Sequence, residues 1–160
     1  SKMNKINSEA EDIQEEKDFQ QAKERLNNIF HHYEPTFVKM AKGCFYDMKM
    51  WFIDKNNKLH RYHVEIKTRK QNMELYDTLP ITCQKYCNVK DTCKMGEKAI
   101  YISLLNDTEY YVFDLDKVDL NSCVIRNWAI NDIEYSDAPK KVNIPTIFIP
   151  ITQSVNNGLM

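Results

Sequence analysis

The sequence has almost no excess of charge of either sign, since its 160 residues include 22 basic and 23 acidic side chains. A formal net charge of -1 excludes a protein whose overall field attracts polyanions. Contact with nucleic acid would therefore need a local basic patch. The candidates for such contact are Arg69, Lys70 and Lys85, and the alternative is a mixed charged surface, because acidic residues lie among them.

Long apolar runs are also missing from the chain. The run at residues 146–151 is far shorter than the roughly 20 residues of a membrane-spanning helix. Residues 1–16 are polar and acidic, unlike a signal peptide, and no repeat or linker divides the chain. We therefore expect one domain over residues 1–160 at a cytoplasmic location. The many Lys, Asn and Ile residues indicate a bacterial cell or a phage-infected host.

The chain also has no regular pattern of paired cysteines. Its five cysteines are an odd number, and their spacing does not repeat. This pattern excludes a secreted disulfide scaffold and indicates reduced thiols. Cys83, Cys87 and Cys93 do not have the two-residue spacing of common zinc or cluster ligand pairs. Contacts within a protein core are the favoured interpretation of these three residues, and a metal centre is the alternative.

The N-terminal part of the chain has an apolar stripe at three- and four-residue spacing, which predicts an amphipathic helix. Pro35 interrupts this helix near its end, and Gly43 would close a second short helical stretch over residues 37–42. The stripe consists of Phe19, Ala22, Leu26, Ile29, Phe30 and Tyr33.

Residues 44–53 and 59–69 favour β-structure on either side of a polar turn, and they predict a β-hairpin. Side chains alternate between the two faces of a strand. In the first strand, Asp47 and Lys49 therefore share one face. The apolar set on the other face is Tyr46, Met48, Met50 and Phe52.

The second strand of the predicted hairpin divides in the same way. His63, Glu65 and Lys67 share a polar face, whereas Val64 and Ile66 point to the opposite, apolar face. Both strands can thus turn a polar side to a cleft and an apolar side to a core.

The rest of the chain predicts a helix followed by further strands. The helix is capped by Asp77 or Thr78, with Pro80 in its first turn and Gly96 beyond its end. Strands are expected over residues 99–105 and 109–115, joined by a turn at 106–108. Residues 118–130 form a short helix or strand, and residues 146–149 form a late strand.

Asp47 and the triplet Glu65, Ile66 and Lys67 carry the chemistry of the predicted hairpin. Phosphodiester hydrolysis needs a hard cation that neutralises charge on the phosphate and lowers the pKa of the attacking water. Mg²⁺ is held by one or two carboxylates plus waters and substrate phosphate. A lysine on the same face can orient that water. The alternative is a solvated face with ion pairs to Lys49 and Lys67, worth less than about 1 kcal/mol.

Asp47, followed after the turn by the string HVEIKTR at 63–69, resembles the core of the PD-(D/E)xK nuclease superfamily. That superfamily includes many restriction enzymes, junction resolvases and recombination nucleases. The predicted order of helix, hairpin, helix and strand pair also matches, although Tyr46 stands where a proline marks the motif. The resemblance covers about residues 16–115 and leaves 116–160 as a C-terminal extension.

The resemblance implies an α/β fold, a single domain with a central mixed β-sheet flanked by helices and a restriction endonuclease-like core. It implies that Asp47, Glu65 and the main-chain carbonyl of Ile66 bind Mg²⁺ or Mn²⁺, and that Lys67 is the catalytic lysine. It also implies a catalytic Gln84 on the following helix. Weaker candidates are Lys85 and Tyr86 beside it and Glu24 on the first helix.

The function implied by the resemblance is a divalent-metal-dependent nuclease that hydrolyses phosphodiester bonds of DNA. A homodimer is compatible with it, because cutting both strands commonly uses two such sites. One alternative is an inactive nuclease-like fold that serves as a nucleic-acid or protein-binding module. Another is an unrelated α/β interaction protein in which Asp47 and Glu65 never meet.

Several other residues are interpreted as structural. His60 and His63 are expected to be exposed strand residues, although His63 on the polar face is also a candidate for phosphate contact. Trp51 and Trp128 are expected to be packing residues. The same packing role is favoured over base stacking for Tyr110, Tyr111 and Phe113.

Overall fold

The computed structural model describes residues 2–70, 77–106, 108–132, 140–155 and 158–160. Position 107, in the predicted turn at 106–108, lies outside these residues. Within the described ranges the helices are α1 (Lys2–Ile29) and α2 (Cys83–Thr92). The strands are β1 (Thr36–Lys39), β2 (Met48–Ile53), β3 (Leu59–Arg69), β4 (Thr78–Thr82), β5 (Glu97–Leu105), β6 (Glu109–Asp114), β7 (Val124–Asp132) and β8 (Lys140–Pro150).

The larger sheet has five strands in the order β1-β2-β3-β5-β6. Its neighbours are antiparallel except for β3 and β5, which run parallel. The parallel pair requires a crossover, and α2 lies on that crossover. The prediction of a mixed α/β fold with a central mixed sheet and helices is confirmed.

The predicted hairpin is present as β2 and β3, and β3 has the predicted bounds. One face of the hairpin packs against α1 in an apolar cluster that includes Leu26, Phe30, Met50 and Val64. This arrangement confirms the predicted apolar stripe of the first helix and the predicted apolar face of the hairpin. The other face of the sheet packs against α2 and the smaller sheet in a second cluster.

Tyr46 corrects one prediction about the hairpin, because it belongs to the second cluster and not to the first. Its ring stacks on that of His63, with the ring centroids 4.2 Å apart. The strand begins at Met48 and not at residue 44, and the backbone bends just before it. The alternation of faces therefore does not extend back to Tyr46.

The smaller sheet has three strands in the order β4-β8-β7. Two of these strands come from the predicted C-terminal extension, and β8 pairs antiparallel with both neighbours. The ambiguous segment 118–130 contains a 3₁₀ turn at Leu120–Ser122 and then β7, and the predicted late strand is the end of the longer β8.

The start of α2 corrects a second prediction. Pro80 lies in β4 and not in the first turn of the helix, which starts at Cys83. Thr82 is the N-cap, since its hydroxyl oxygen accepts a hydrogen bond of 3.2 Å from the Lys85 N–H. Pairing with the distant β8 extends residues 78–82 and overrides their helix-start signals.

The segment after Pro35 corrects a third prediction. Residues 36–39 form β1, not a helical stretch, and Phe37 pairs in register with Met50 of β2. Burial of the Phe37 side chain in the first cluster explains why an edge strand is favoured there. None of the helices in the described ranges combines the length and the apolar character that a membrane crossing requires.

Candidate active site

Asp47 is anchored to β3 by both its backbone and its side chain. Its N–H donates to the carbonyl of Val64 at 3.0 Å, and its carbonyl accepts from the Met40 N–H at 3.0 Å. Its carboxylate Oδ2 accepts from the N–H of Ile66 at 2.8 Å. The Asp47 residue remains exposed. The carboxylate is therefore fixed beside β3, while the residue itself stays exposed.

Glu65 is buried, with 5% of its surface exposed, and it contacts the Asp47 carboxyl group. Burial is the main cause that raises the pKa of Glu65, and together with the neighbouring charge of Asp47 it brings this pKa to about 7. The ammonium of Lys85, 3.1 Å from Glu65 Oε1, acts in the opposite direction without cancelling the effect. Two carboxyl groups from different segments thus converge at one place.

Lys67 completes the predicted group. Desolvation lowers the pKa of the Lys67 ammonium, and the positive charges of Lys85 and Arg69 lower it further. The carboxylates of Glu65 and Asp47 raise that pKa, which means that the ammonium lies within electrostatic reach of both acids. As a residue Lys67 is exposed, so the ammonium remains accessible to a substrate.

The main-chain carbonyl of Ile66 adds a further oxygen next to the carboxyl groups of Asp47 and Glu65. The N–H and C=O groups of one strand residue point to the same edge of the strand. Because the Ile66 N–H donates to Asp47, the Ile66 carbonyl lies along the same edge as that carboxylate. The predicted ligand set of Asp47, Glu65 and the Ile66 carbonyl is therefore brought together.

These oxygen groups fit a hard divalent cation. Mg²⁺ takes one or two carboxylates together with water and substrate oxygens, and carbonyl oxygens suit the same metals. The pKa of Glu65 stays raised by burial and by Asp47 although Lys85 lies beside it, and a bound cation would add positive charge next to both carboxyl groups. Among the described residues no group of three or more His, Cys, Asp or Glu side chains could hold a metal, and Cys83, Cys87 and Cys93 are free thiols.

Two cavities adjoin the carboxyl groups of Asp47 and Glu65. One of about 880 Å³ lies along α1 and the segment before β2, and Asp47 and Ile66 line it together with acidic residues of the helix. Another of about 330 Å³ is lined by Glu65, Lys67 and Lys85. The carboxyl pair stands between the two cavities, so ligands can approach it from solvent.

The predicted residues on α2 are only partly brought to the site. Lys85 contacts Glu65, but Gln84 is exposed and does not line the cavity next to Lys67. Tyr86 is buried, and its hydroxyl accepts from Lys90 and donates to the Leu115 carbonyl at 3.4 Å. Because the helix begins at Cys83, its first turn presents Lys85 to the cavity and not Gln84.

Glu24, the weaker candidate on α1, is exposed and lines neither cavity. The acidic residues of α1 that line the larger cavity lie about two to three turns closer to the N-terminus. They are Asp12, Glu15, Glu16 and Asp18.

The predicted nucleic-acid contacts differ from one another in the structure. Arg69 donates to the Tyr101 hydroxyl at 2.7 Å and to the Pro80 carbonyl at 3.2 Å, so its guanidinium holds β4 against the larger sheet. Lys70 is exposed, and Lys85 is half exposed at the cavity. Arg69 also lines the cavity next to Glu65, so all three residues remain candidates for phosphate contact, and Arg69 has a structural role in addition.

Both strand histidines are buried, contrary to the expectation of exposed residues. His63 bonds to Thr92 Oγ1 through Nδ1 and to Glu97 Oε2 through Nε2, each at 2.9 Å. His60 bonds to Asp54 Oδ2 at 2.8 Å. The packing of α2 over β3 buries His63 and removes it from any phosphate.

Trp128 is the residue that the sequence interpretation missed at this site. It was expected to be a packing residue, but it lines the same cavity as Glu65 and Lys67 and is 37% exposed. Thr146 of β8 lines that cavity as well. No sequence pattern could have placed them there, because the smaller sheet forms through pairing with the distant β4.

Solved structures include chains that are similar to this one. No family model matches the chain, and no curated protein matches it. The fold is similar to the solved structure of Archaeoglobus fulgidus Hjc, a Holliday junction resolvase from an archaeal hyperthermophile. The match has 13% sequence identity and a TM-score of 0.45 and covers 78% of this chain and 87% of the other. At these values the similarity concerns the backbone, so residue roles here follow from this chain's own geometry.

Proposed function

We propose that this protein is a divalent-metal-dependent nuclease that hydrolyses phosphodiester bonds of DNA. The observation that carries the proposal is the contact between the carboxyl groups of Asp47 and Glu65, with the Lys67 ammonium within electrostatic reach. Like charges brought together in a partly buried place cost free energy, so they persist where a function requires them. Recruitment of a cation is the function that fits two carboxylates beside a lysine.

In the proposed reaction, Asp47, Glu65 and the Ile66 carbonyl hold Mg²⁺ or Mn²⁺. When bound, the cation supplies charge neutralisation at the phosphate and a lowered pKa for the attacking water. Lys67 donates hydrogen bonds to that water or to a phosphate oxygen and so stabilises the developing negative charge. Lys85 pairs with Glu65 and is half exposed, so its ammonium would be available to a neighbouring phosphate if Glu65 held a cation.

A cleavage assay with matched variants tests the proposal. The protein is incubated with plasmid, linear duplex, single-stranded and branched DNA in Mg²⁺, in Mn²⁺ or in chelator. We expect cleavage that chelator abolishes and that Lys67→Ala reduces at least about 100-fold, which is the effect of removing one group that stabilises transition-state charge.

Lys55→Ala is the control, because Lys55 lies in the turn at the far end of the same hairpin and is exposed. It should leave cleavage unchanged. Cleavage that survives Lys67→Ala would contradict the proposal. Binding of DNA without cleavage, unaffected by Asp47→Ala or Lys67→Ala, would identify a binding module instead.

A further inference from the structure

The smaller sheet brings an aromatic residue to the cavity that contains Glu65 and Lys67. Trp128 lies on β7 and lines this cavity of about 330 Å³. Its ring packs edge-on against Phe148 of β8, at 5.5 Å between centroids and an interplanar angle of 64°. An edge contact fixes the position of the indole and leaves 37% of the residue exposed. The ring thus has a packing partner on one side while part of its surface is available.

Positively charged side chains lie near the cavity that Trp128 lines. Arg126, two residues before Trp128 and therefore on the same face of β7, places its guanidinium 4.4 Å from the centroid of Phe148. Lys67 and Lys85 line the same cavity as Trp128. Glu65 supplies the negative charge on that lining, and it is the group assigned here to the cation. The cavity therefore combines an aromatic surface with ammonium groups next to the carboxyl pair.

This combination fits one chemical class of ligand, a nucleotide whose base is unpaired. Bases stack on aromatic side chains, and lysines beside the stack contact the phosphates that link the bases. A base inside a duplex already has neighbours on both of its faces, so it can reach a protein ring only after leaving the stack. Trp128 therefore selects a single-stranded nucleotide over a paired one.

We propose that Trp128 stacks on an unpaired base next to the phosphate that is cleaved, so that the substrate is single-stranded or branched at the cleavage point. The proposal deepens the proposed function and rests on it for the cleaved phosphate. The stacking itself requires binding alone.

Intrinsic fluorescence tests the stacking directly, because the chain has two tryptophans. Trp51→Phe leaves Trp128 as the reporter, and Trp128→Phe leaves Trp51 as the matched control. Each variant is titrated in chelator with a single-stranded oligonucleotide of mixed sequence and with its duplex. We expect the single strand to quench the fluorescence of the Trp51→Phe protein and to leave that of the Trp128→Phe protein unchanged.

Affinity measurements complete the test. Trp128→Ala should weaken binding of the single strand about 5-fold to 150-fold, the range for loss of one stacked base. Binding of the duplex should change less than about 2-fold, and Trp128→Phe should restore most of the single-strand affinity. The melting temperatures of both variants show whether the fold is retained.

The two proposals fail in different ways. If the single strand does not quench Trp128, or if Trp128→Phe loses single-strand and duplex binding equally, the stacking role is wrong and Trp128 has a packing role alone. Quenching by a protein that never cleaves DNA in Mg²⁺ would overturn the proposed nuclease and leave the stacking role in place. Cleavage that depends on Lys67, from a protein whose Trp128 is not quenched by the single strand, would leave the nuclease in place and overturn the stacking role.

Discussion

The two faces of β3 are both buried, but one face is apolar and the other is polar. Tyr62 and Val64 on one face are fully buried against the apolar side chains of α1 and the neighbouring strands. His63 and Glu65 on the other face are almost as deeply buried, but each has polar partners. An apolar face needs a complementary shape, whereas a buried polar face needs partners for its polar atoms. The apolar face therefore stabilises the fold. On the polar face, the burial of charged side chains such as Glu65 costs free energy of folding that their partners offset only in part.

The largest effect that tests this comparison is expected for His63→Ala. The change breaks a buried pair with Glu97 and removes the partner of Thr92 and the ring that stacks on Tyr46. Leaving a buried hydrogen-bonding group without its partner costs about 1 to 3 kcal/mol, so the two broken bonds together cost about 2 to 6 kcal/mol. We expect a loss of that size in the free energy of unfolding, measured by urea denaturation.

His32→Ala is the control for this measurement, because His32 is exposed. Its effect should stay within about 0.5 kcal/mol. If His63→Ala lowered the free energy of unfolding by less than about 1 kcal/mol, the stability of the polar face would not depend on the hydrogen-bond partners of its side chains.

Val64→Ala tests the apolar face at the next position of the same strand. Val64 is fully buried, and the substitution removes two methyl groups from the first cluster. At about 0.8 kcal/mol for each buried carbon plus a term for the cavity, we expect a loss of about 2 kcal/mol in stability. The rate of DNA cleavage, measured well below the melting temperature, should stay unchanged. A cleavage defect as large as that of Lys67→Ala would show that the two faces are not independent.

Glu65→Gln should have the opposite sign and a smaller size. In chelator at pH 8 the ionised Glu65 is buried beside Asp47, so its replacement by a neutral amide relieves a cost. Relief of about 1 kcal/mol would raise the melting temperature by about 2 to 4 °C in a chain of this size.

The pH dependence of this variant follows from the raised pKa of Glu65. The cost is present above the folded-state value of about 7 and disappears as the pH falls towards the ordinary carboxyl range. The advantage of Glu65→Gln should therefore vanish near pH 5. Equal melting temperatures of the two proteins at pH 8 would argue against repulsion between the two acids.

Asp54→Asn should have the smallest effect on stability. The substitution alters the partner of His60, which lies at the end of the apolar face. Asp54 accepts hydrogen bonds from the N–H groups of Asn56 and Lys58 and contacts His60. These contacts lower the pKa of Asp54, chiefly through the bond to His60. The carboxylate therefore stabilises the fold above its unfolded-state pKa of about 3.9, and this contribution is lost as the pH falls below that value. Thermal melting should show a small deficit at pH 7 that disappears in acid.

The parts of the fold that depend on local sequence could be predicted. The alternation of residues 59–69 gave the bounds of β3, because each face of that strand meets a continuous layer of one polarity. The same alternation predicted that Glu65 and Lys67 share one face of β3, and both residues line one cavity in the structure. The motif spacing predicted that Asp47 would meet Glu65, and the structure brings the two carboxyl groups into contact.

The parts that depend on distant segments could not be predicted. Pro80 looked like a residue of a first helical turn, but pairing with Phe148 in β8 places it in a strand. The actual first turn then brings Lys85 to the cavity in place of Gln84. Trp128 looked like a packing residue because nothing near it in the sequence indicates a cavity formed by β3 and α2.

The two hydrogen bonds from Asp47 to β3 have a consequence for variation in this protein. The backbone N–H and the carboxylate of Asp47 are both fixed by β3, through Val64 and Ile66, and the preceding loop at 41–46 does not bond to either group. That loop lines the larger cavity. Its length and composition can therefore change between related chains, altering which molecules fit beside the acid, while the acid itself keeps its position.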